Sequence, residues 1–224
     1  MLHKRHFRTL WLLSFAVLLV GVAKAPAIQL AARETDEWIK TLERPERVAG
    51  QKVDEVISRL NLKPGMVVAD IGAGAGLFSI PIGQVVAPGG KVYAEDIQQG
   101  LLDHINQRAK QQKLSDVQTV LGRFDDPKLP ARDVDLALIN DVLHHIEHRA
   151  EYLKALASYL KPTGRVAIIE MNKDDPNTPH KDNPELLVSR ENIDQWMAAA
   201  GFHPVQEYND LFPGAKWFII YGRK

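Results

Sequence analysis

Ten residues, Val67-Val68-Ala69-Asp70-Ile71-Gly72-Ala73-Gly74-Ala75-Gly76, constrain this chain more than any others. They open as a short apolar run behind the turn signal Pro64-Gly65, the pattern of a fully buried strand. They close on an acid, Asp70, followed by glycines at alternate positions: Gly72, Gly74 and Gly76. Leu77 to Val86 then resumes an apolar pattern that suits a helix, which Pro81 is expected to bend. The order is strand, acid, glycine-rich turn, helix. Glycine lacks a Cβ and tolerates positive φ, so such a turn folds tightly and lets a ligand touch its backbone. The helix N-terminus behind it offers free N–H groups and partial positive charge, which suits a carboxylate or a phosphate.

Two cofactor classes use turns of this kind. A dinucleotide fingerprint, Gly-x-Gly-x-x-Gly counted from Gly72, needs its third glycine at position 77, which is Leu77. The run instead resembles motif I of the class I S-adenosylmethionine-dependent methyltransferases, acid-x-Gly-x-Gly-x-Gly, through Asp70, Gly72, Gly74 and Gly76. The following segments extend the resemblance. Lys91 to Asp96 reads as a second strand ending in two acids. A ribose diol needs a paired acceptor, and a carboxylate at a strand's C-terminal tip provides one. Asp96 lies 26 residues after Asp70 and matches the ribose-binding acid of that family. Glu95 stands where the family often has an apolar residue, which leaves both acids in play.

Gly122 to Pro130 lacks helical period. In the family this loop holds the adenine through an acid directly after the glycine, and here that position is Arg123. Phe124 is the residue expected to pack on the adenine face, and Asp125 to accept from its amino group. Val134 to Asn140 is a further strand that runs into Asp141-Val142-Leu143-His144-His145-Ile146. That run resembles the methyltransferase type 11 and ubiquinone/menaquinone-biosynthesis-like branch. The resemblance puts Asn140 at the methionine part of the cofactor and His144 and His145 near methyl transfer, as candidate bases. No second cluster has ligand spacing, although His148 is near, so no metal is expected.

The remaining segments fit the same scheme. Glu151 to Leu160 reads as a helix and Arg165 to Glu170 as a strand. Asn172 to Glu185, polar and with three prolines, is a long loop at the sheet's ligand end, read as a substrate lid in which His180 is solvated. Ser189 is a candidate N-cap for the last helix, and Phe202 to Tyr208 and Lys216 to Tyr221 read as closing strands. Alternation of strands and helices gives a mainly parallel sheet with helices on both faces. The resemblance, covering about residues 45–223, adds a Rossmann-like, doubly wound, seven-stranded sheet whose last strand is antiparallel.

Ahead of that domain the chain differs in kind. Lys4, Arg5 and Arg8 precede the uncharged, 15-residue run Thr9 to Ala23, and small residues at Ala23, Ala25 and Ala27 follow. Residues 1–27 therefore read as a signal peptide for export, the alternative being an uncleaved N-terminal membrane anchor. Residues 28–224 form the methyltransferase-like domain, with a helical lid over about 33–62 that brings Trp38, Arg44 and Arg47 near the substrate. The lid's Pro45 opens a helix whose apolar stripe runs to Asn61.

Formal net charge is zero, which gives no electrostatic footprint for nucleic acid. The absence of cysteine excludes disulfides, thiolate metal sites, cysteine nucleophiles and a lipoprotein anchor, and it argues against thiol-dependent arsenite methylation. The expected function is methyl transfer from S-adenosylmethionine to a small-molecule or envelope-associated acceptor. Membrane contact is confined to the N-terminal segment, and no oligomeric state is implied. The rivals are a non-catalytic S-adenosylmethionine-binding or scaffold protein and, more weakly, a nucleotide-dependent oxidoreductase.

Overall fold

The computed structural model describes residues 34–223. The expected leader, residues 1–27, lies outside them. The described chain begins with three short helices: α1 (Thr35–Leu42), α2 (Pro45–Gly50) and α3 (Val53–Leu60). Then β1 (Val67–Ile71), α4 (Ser79–Val86), β2 (Lys91–Asp96), α5 (Gln99–Gln111) and β3 (Val117–Leu121) alternate. After β4 (Val134–Asn140) come α6 (Arg149–Ala157), β5 (Leu160–Met171), α7 (Arg190–Ala199), β6 (Phe202–Glu207) and β7 (Lys216–Arg223). The sheet has seven strands in the order β3-β2-β1-β4-β5-β7-β6. All pairings from β3 to β5 are parallel, and β7 runs antiparallel to both β5 and β6.

Strand alternation sorts the core into two layers. Ala69, Ile71, Ala137, Ile139, Val166 and Ile168 pack on one face with Tyr152, Leu153 and Leu156 of α6 and Ile193 and Met197 of α7. Val68, Leu136, Leu138, Ala167 and Ile169 pack on the other with Val56 and Leu60 of α3, Ile82 and Val86 of α4 and Leu102 and Ile105 of α5. Both faces of the central strands are covered, so these strands carry near-continuous apolar runs. From β1 the chain builds outward to β3, then returns beside β1 as β4. That reversal opens a crevice at the carboxyl ends of β1 and β4, where ligands of open α/β sheets bind.

Two local expectations change. The single helix read from Pro45 to Asn61 is two, because Lys52 takes a left-handed φ of 46° between α2 and α3. Its ammonium donates to the Leu211 carbonyl at 2.6 Å, which ties the break to the β6–β7 connection. Helix α4 starts at Ser79, not directly behind the glycines. Pro81 thus lies in the first turn, where its missing N–H is harmless. The N–H of Ile82 still reaches the Phe78 carbonyl at 3.0 Å, so no bend is required.

Candidate functional site

A cavity of about 690 Å³ lies at the carboxyl ends of the parallel strands. Its walls include Gly72, Gly74, Glu95, Asp96, Phe124, Asn140, His144 and His145. A smaller pocket of about 240 Å³ sits against the same turn and is lined by Asp70 and Arg108. Gly72, Gly74 and Asn140 border both. Gly72 and Gly74 have φ of 64° and 57°, and a Cβ at Gly72 would lie 2.5 Å from Val142 Cγ2. Only glycine takes that geometry without strain. Gly76, also at positive φ, lines neither pocket; a Cβ there would lie 2.9 Å from Ile105, so this glycine serves the packing of the turn on α5.

Three buried carboxylates sit at the tips of β1 and β2. Asp70 accepts from Ser79 Oγ at 2.5 Å. Burial raises its pKa to about 7 against that bond, and the Asp96 charge adds to the rise. Glu95 accepts from the Gly72 N–H at 3.2 Å and from Tyr152 Oη at 3.5 Å, and burial with its acidic neighbours holds its pKa well above the usual range. Asp96 is likewise raised by burial, opposed by backbone N–H groups. Its Oδ2 accepts from Gly74 N–H at 2.9 Å and its Oδ1 from Gln98 N–H at 3.0 Å. Both acids in play at β2 therefore clamp the glycine turn, each on a different glycine.

Gly122 makes room for this arrangement: a Cβ there would fall 1.7 Å from Glu95 Oε1. The Glu95 carboxylate cannot simply swing aside, because it is buried and held by Gly72 and Tyr152. Gly122→Ala is expected to cost about 1–3 kcal/mol of stability, the range for overpacking, read as a lowered Tm in a thermal melt. An unchanged melt would show that Glu95 relaxes freely.

The tip of β4 carries the polar wall. Asn140 Nδ2 donates to Gln51 Oε1 at 3.1 Å, while Asn140 Oδ1 is buried without a partner. Asp141, at φ 53°, pairs with Lys216 Nζ at 2.6 Å and accepts from Gln51 Nε2 at 2.8 Å. Burial alone would raise the Asp141 pKa; Lys216, Gln51 and the Arg47 charge hold it below the usual carboxylate range. The 3-10 turn Leu143–His145 then sets two imidazoles side by side, with ring centroids 4.0 Å apart. His144 is buried and its Nδ1 lies 2.8 Å from Glu170 Oε1. His145 has a buried Nδ1 with no partner, and burial, followed by the neighbouring His144 and His180, drops its pKa to about 3.

The structure brings together Gly72, Gly74, Asp96, Phe124, Asn140, His144 and His145 around one cavity, with Asp70 in the adjoining pocket. Asp125 does not join them. Its carboxylate pairs with Arg123 Nε at 3.3 Å, and both side chains are two-thirds exposed. The lining side chains from that loop are Arg123 and Phe124. His180, read as solvated, is exposed but also walls the cavity, its ring 5.4 Å from that of His144. Of the lid residues, Trp38 and Arg47 line the cavity and Arg44 does not; Arg44 donates to Thr41 Oγ1 at 3.5 Å. Gln51, Tyr152, Glu170 and Lys216 are additions. Each comes from an element far along the chain, and only its meeting with β4 or β2 gives it a role.

The donors and acceptors present fit S-adenosylmethionine. Buried carboxylates beside positive-φ glycines suit a ribose diol and a cationic amino-acid tail, and the orphaned Asn140 Oδ1 and His145 Nδ1 leave polar atoms for a ligand to satisfy. A family model described as a methyltransferase domain matches residues 62–206. A demethylmenaquinone methyltransferase from a Geobacillus species is 24% identical over 120 residues, 54% of this chain and 51% of that protein. The ubiquinone/menaquinone biosynthesis C-methyltransferase UbiE of Burkholderia mallei is 30% identical over 121 residues, 52% of this chain and 48% of the relative. The chain thus spans about half the length of these curated relatives. In the crystal structure of a SAM-dependent methyltransferase from Aquifex aeolicus the same fold recurs, with a TM-score of 0.74 and 23% identity over 84% of this chain and 98% of that one.

Proposed function

The chain belongs to the methyltransferase-domain family, and from that premise we propose that it transfers a methyl group from S-adenosylmethionine to a small, largely apolar acceptor. The observation that carries this reading is the trio of buried carboxylates, Asp70, Glu95 and Asp96, gathered beside the glycine turn. Such a cluster favours a ligand with cationic groups. Asp96 would hold the ribose hydroxyls, and the Gly72 to Gly74 backbone with Asn140 would take the methionine part. Asp70 would balance its ammonium, and Phe124 would pack on the adenine. The bound cofactor supplies a sulfonium-activated methyl group. The protein's own task is then to align the acceptor and, where needed, to take its proton.

The acceptor space is bounded by Trp38, Ile146, Met171, Pro179 and the histidines, which suits a planar or apolar small molecule. A reduced quinone is the class favoured by the relatives' names. The test is calorimetry with S-adenosylmethionine, followed by transfer of labelled methyl to reduced quinones and other small aromatic acceptors. Saturable binding with labelled product is expected. With the double variant His144→Ala/His145→Ala, cofactor binding should persist while turnover falls about 10²–10⁴-fold, the usual worth of a general base. Undiminished turnover would remove the histidines from the chemistry. Binding without any transfer would leave a non-catalytic cofactor-binding protein.

A further inference from the structure

Glu170 is the buried group that the reading above does not use. It stands near the end of β5 and is 1% exposed; among the described residues the basic side chain hydrogen-bonded to it is the His144 imidazole, while Arg149 and His180 feel its charge through space. Its Oε1 accepts from Met171 N–H at 2.8 Å and lies 2.8 Å from His144 Nδ1. Its Oε2 accepts from the His144 backbone N–H at 3.2 Å. A carboxylate fed by two backbone N–H groups acts as an acceptor, so the His144 ring must present Nδ1–H to it. That fixes the tautomer and leaves Nε2 as the ring's acceptor atom. His144 lines the cavity, and among the described residues its Nε2 is neither hydrogen-bonded nor sealed from solvent.

We propose that Glu170 is a positioning residue that makes His144, and not His145, the proton acceptor, and that the methyl acceptor is one that must lose a proton, such as an aromatic hydroxyl. This rests on the methyltransferase reading of the site. In the step, the acceptor's O–H bond breaks and an Nε2–H bond forms on His144. The electron pair stays on the acceptor, on the oxyanion or the ring carbon conjugated with it, and would bond the methyl carbon supplied by a bound cofactor as the methyl–sulfur bond's pair leaves on sulfur; nothing is oxidised or reduced. The imidazolium so formed faces Glu170 at 2.8 Å, which stabilises it at the moment it appears. Among the described residues no carboxylate is hydrogen-bonded to His145, and Asp141 acts on it only through space. Its Nδ1 is orphaned and its ring is held neutral by burial. The other titratable or charged groups around His144 are His145 at 4.0 Å and His180 at 5.4 Å between ring centroids, and Arg149, whose Nη2 donates to the His144 carbonyl at 2.8 Å. Asp141 carries its own counter-charge in Lys216.

The test needs no turnover. Full-length protein saturated with S-adenosylhomocysteine is titrated with para-nitrophenol, whose ionised form has its own visible absorption band, between about pH 5 and 9. Bound probe in the wild type should ionise at lower pH than free probe. In Glu170→Gln the midpoint should rise by about one pH unit or more, since the carboxylate that favours imidazolium is gone. His144→Asn should abolish the shift, and Glu170→Asp should restore part of it. His148→Asn, at an exposed neighbour outside the cavity, should leave it alone. A purely structural Glu170 would change the melting temperature without moving the midpoint. An unmoved midpoint in folded Glu170→Gln overturns the proposal, as does a wild-type complex that shows no ionised probe below the free midpoint. Failure to bind S-adenosylhomocysteine, measured separately by calorimetry, would instead overturn the methyltransferase reading.

Discussion

Asp96→Ala is expected to abolish measurable S-adenosylmethionine binding, weakening it by about 10²–10⁴-fold. Two losses combine. A ribose diol would give up charge-assisted hydrogen bonds worth about 1.5–3 kcal/mol each, and every 1.4 kcal/mol or so is tenfold in affinity. The glycine turn would also lose its anchor, because Asp96 Oδ2 holds Gly74 N–H at 2.9 Å and Oδ1 holds Gln98 N–H at 3.0 Å. Glu95→Gln gives the contrast. Both bonds that Glu95 accepts, from Gly72 N–H and Tyr152 Oη, fall on one oxygen, Oε2, and a Gln amide of nearly the same shape keeps an oxygen there. Its effect on affinity should stay within about tenfold, the scale of one neutral hydrogen bond. Calorimetry on the pair, with thermal melts to confirm folding, decides which acid at the tip of β2 holds the cofactor. Equal losses in both variants would sink the assignment of Asp96 alone.

Parts of this site were legible in the sequence for a physical reason. A strand buried on both faces must be apolar throughout, so the acid and glycines that end β1 stand out, and the same holds for Asp96 at the end of β2. The period of one βα unit carried the reading from Asp70 to Asp96 and on to Asn140. The side chains that complete the site obey no such local rule. Gln51 and Lys216 meet at Asp141 from positions about 90 residues before and 75 after it. Glu170 reads as the polar end of a strand until β5 lies beside β4 and its carboxylate meets the His144 turn. Asp125 shows the opposite failure. In a loop without period, a local ion pair to Arg123 decides where the side chain points, and that choice is invisible before folding. His180 belongs with it. It takes a φ of 64° and its ring lies 5.4 Å from that of His144, and no nearby pattern announces either.

Asp70 offers the most informative pH experiment, because the same substitution should strengthen the fold and weaken the site. Its folded pKa, about 7, lies above the ordinary value of 3.8, with burial as the main cause. The folded protein therefore binds more protons than the unfolded chain between those values. Stability from this group is fully present below about pH 3.8 and is lost as pH rises towards 7. Glu95 and Asp96 are raised as well and add to the same slope. Asp70→Asn removes the ionisation and keeps an oxygen to accept from Ser79 Oγ. At pH 8 the variant should be more stable than the wild type by about 2–4 kcal/mol, at about 1.4 kcal/mol per pH unit of the displaced titration. Its melting temperature should also vary less between about pH 4 and 8. Binding should move the other way. A cationic cofactor favours the ionised acid, so wild-type affinity should rise with pH up to about 7 and proton release should accompany binding below that point, as expected for a linked carboxylate. In Asp70→Asn the affinity should be lower and should depend less on pH over the same range, the remaining dependence coming from Glu95 and Asp96. Calorimetry in two buffers of different ionisation enthalpy reads the released proton directly. A variant that is no more stable at pH 8, or that keeps both affinity and proton release, would show that Asp70 is an ordinary capping acid with no part in holding the cofactor.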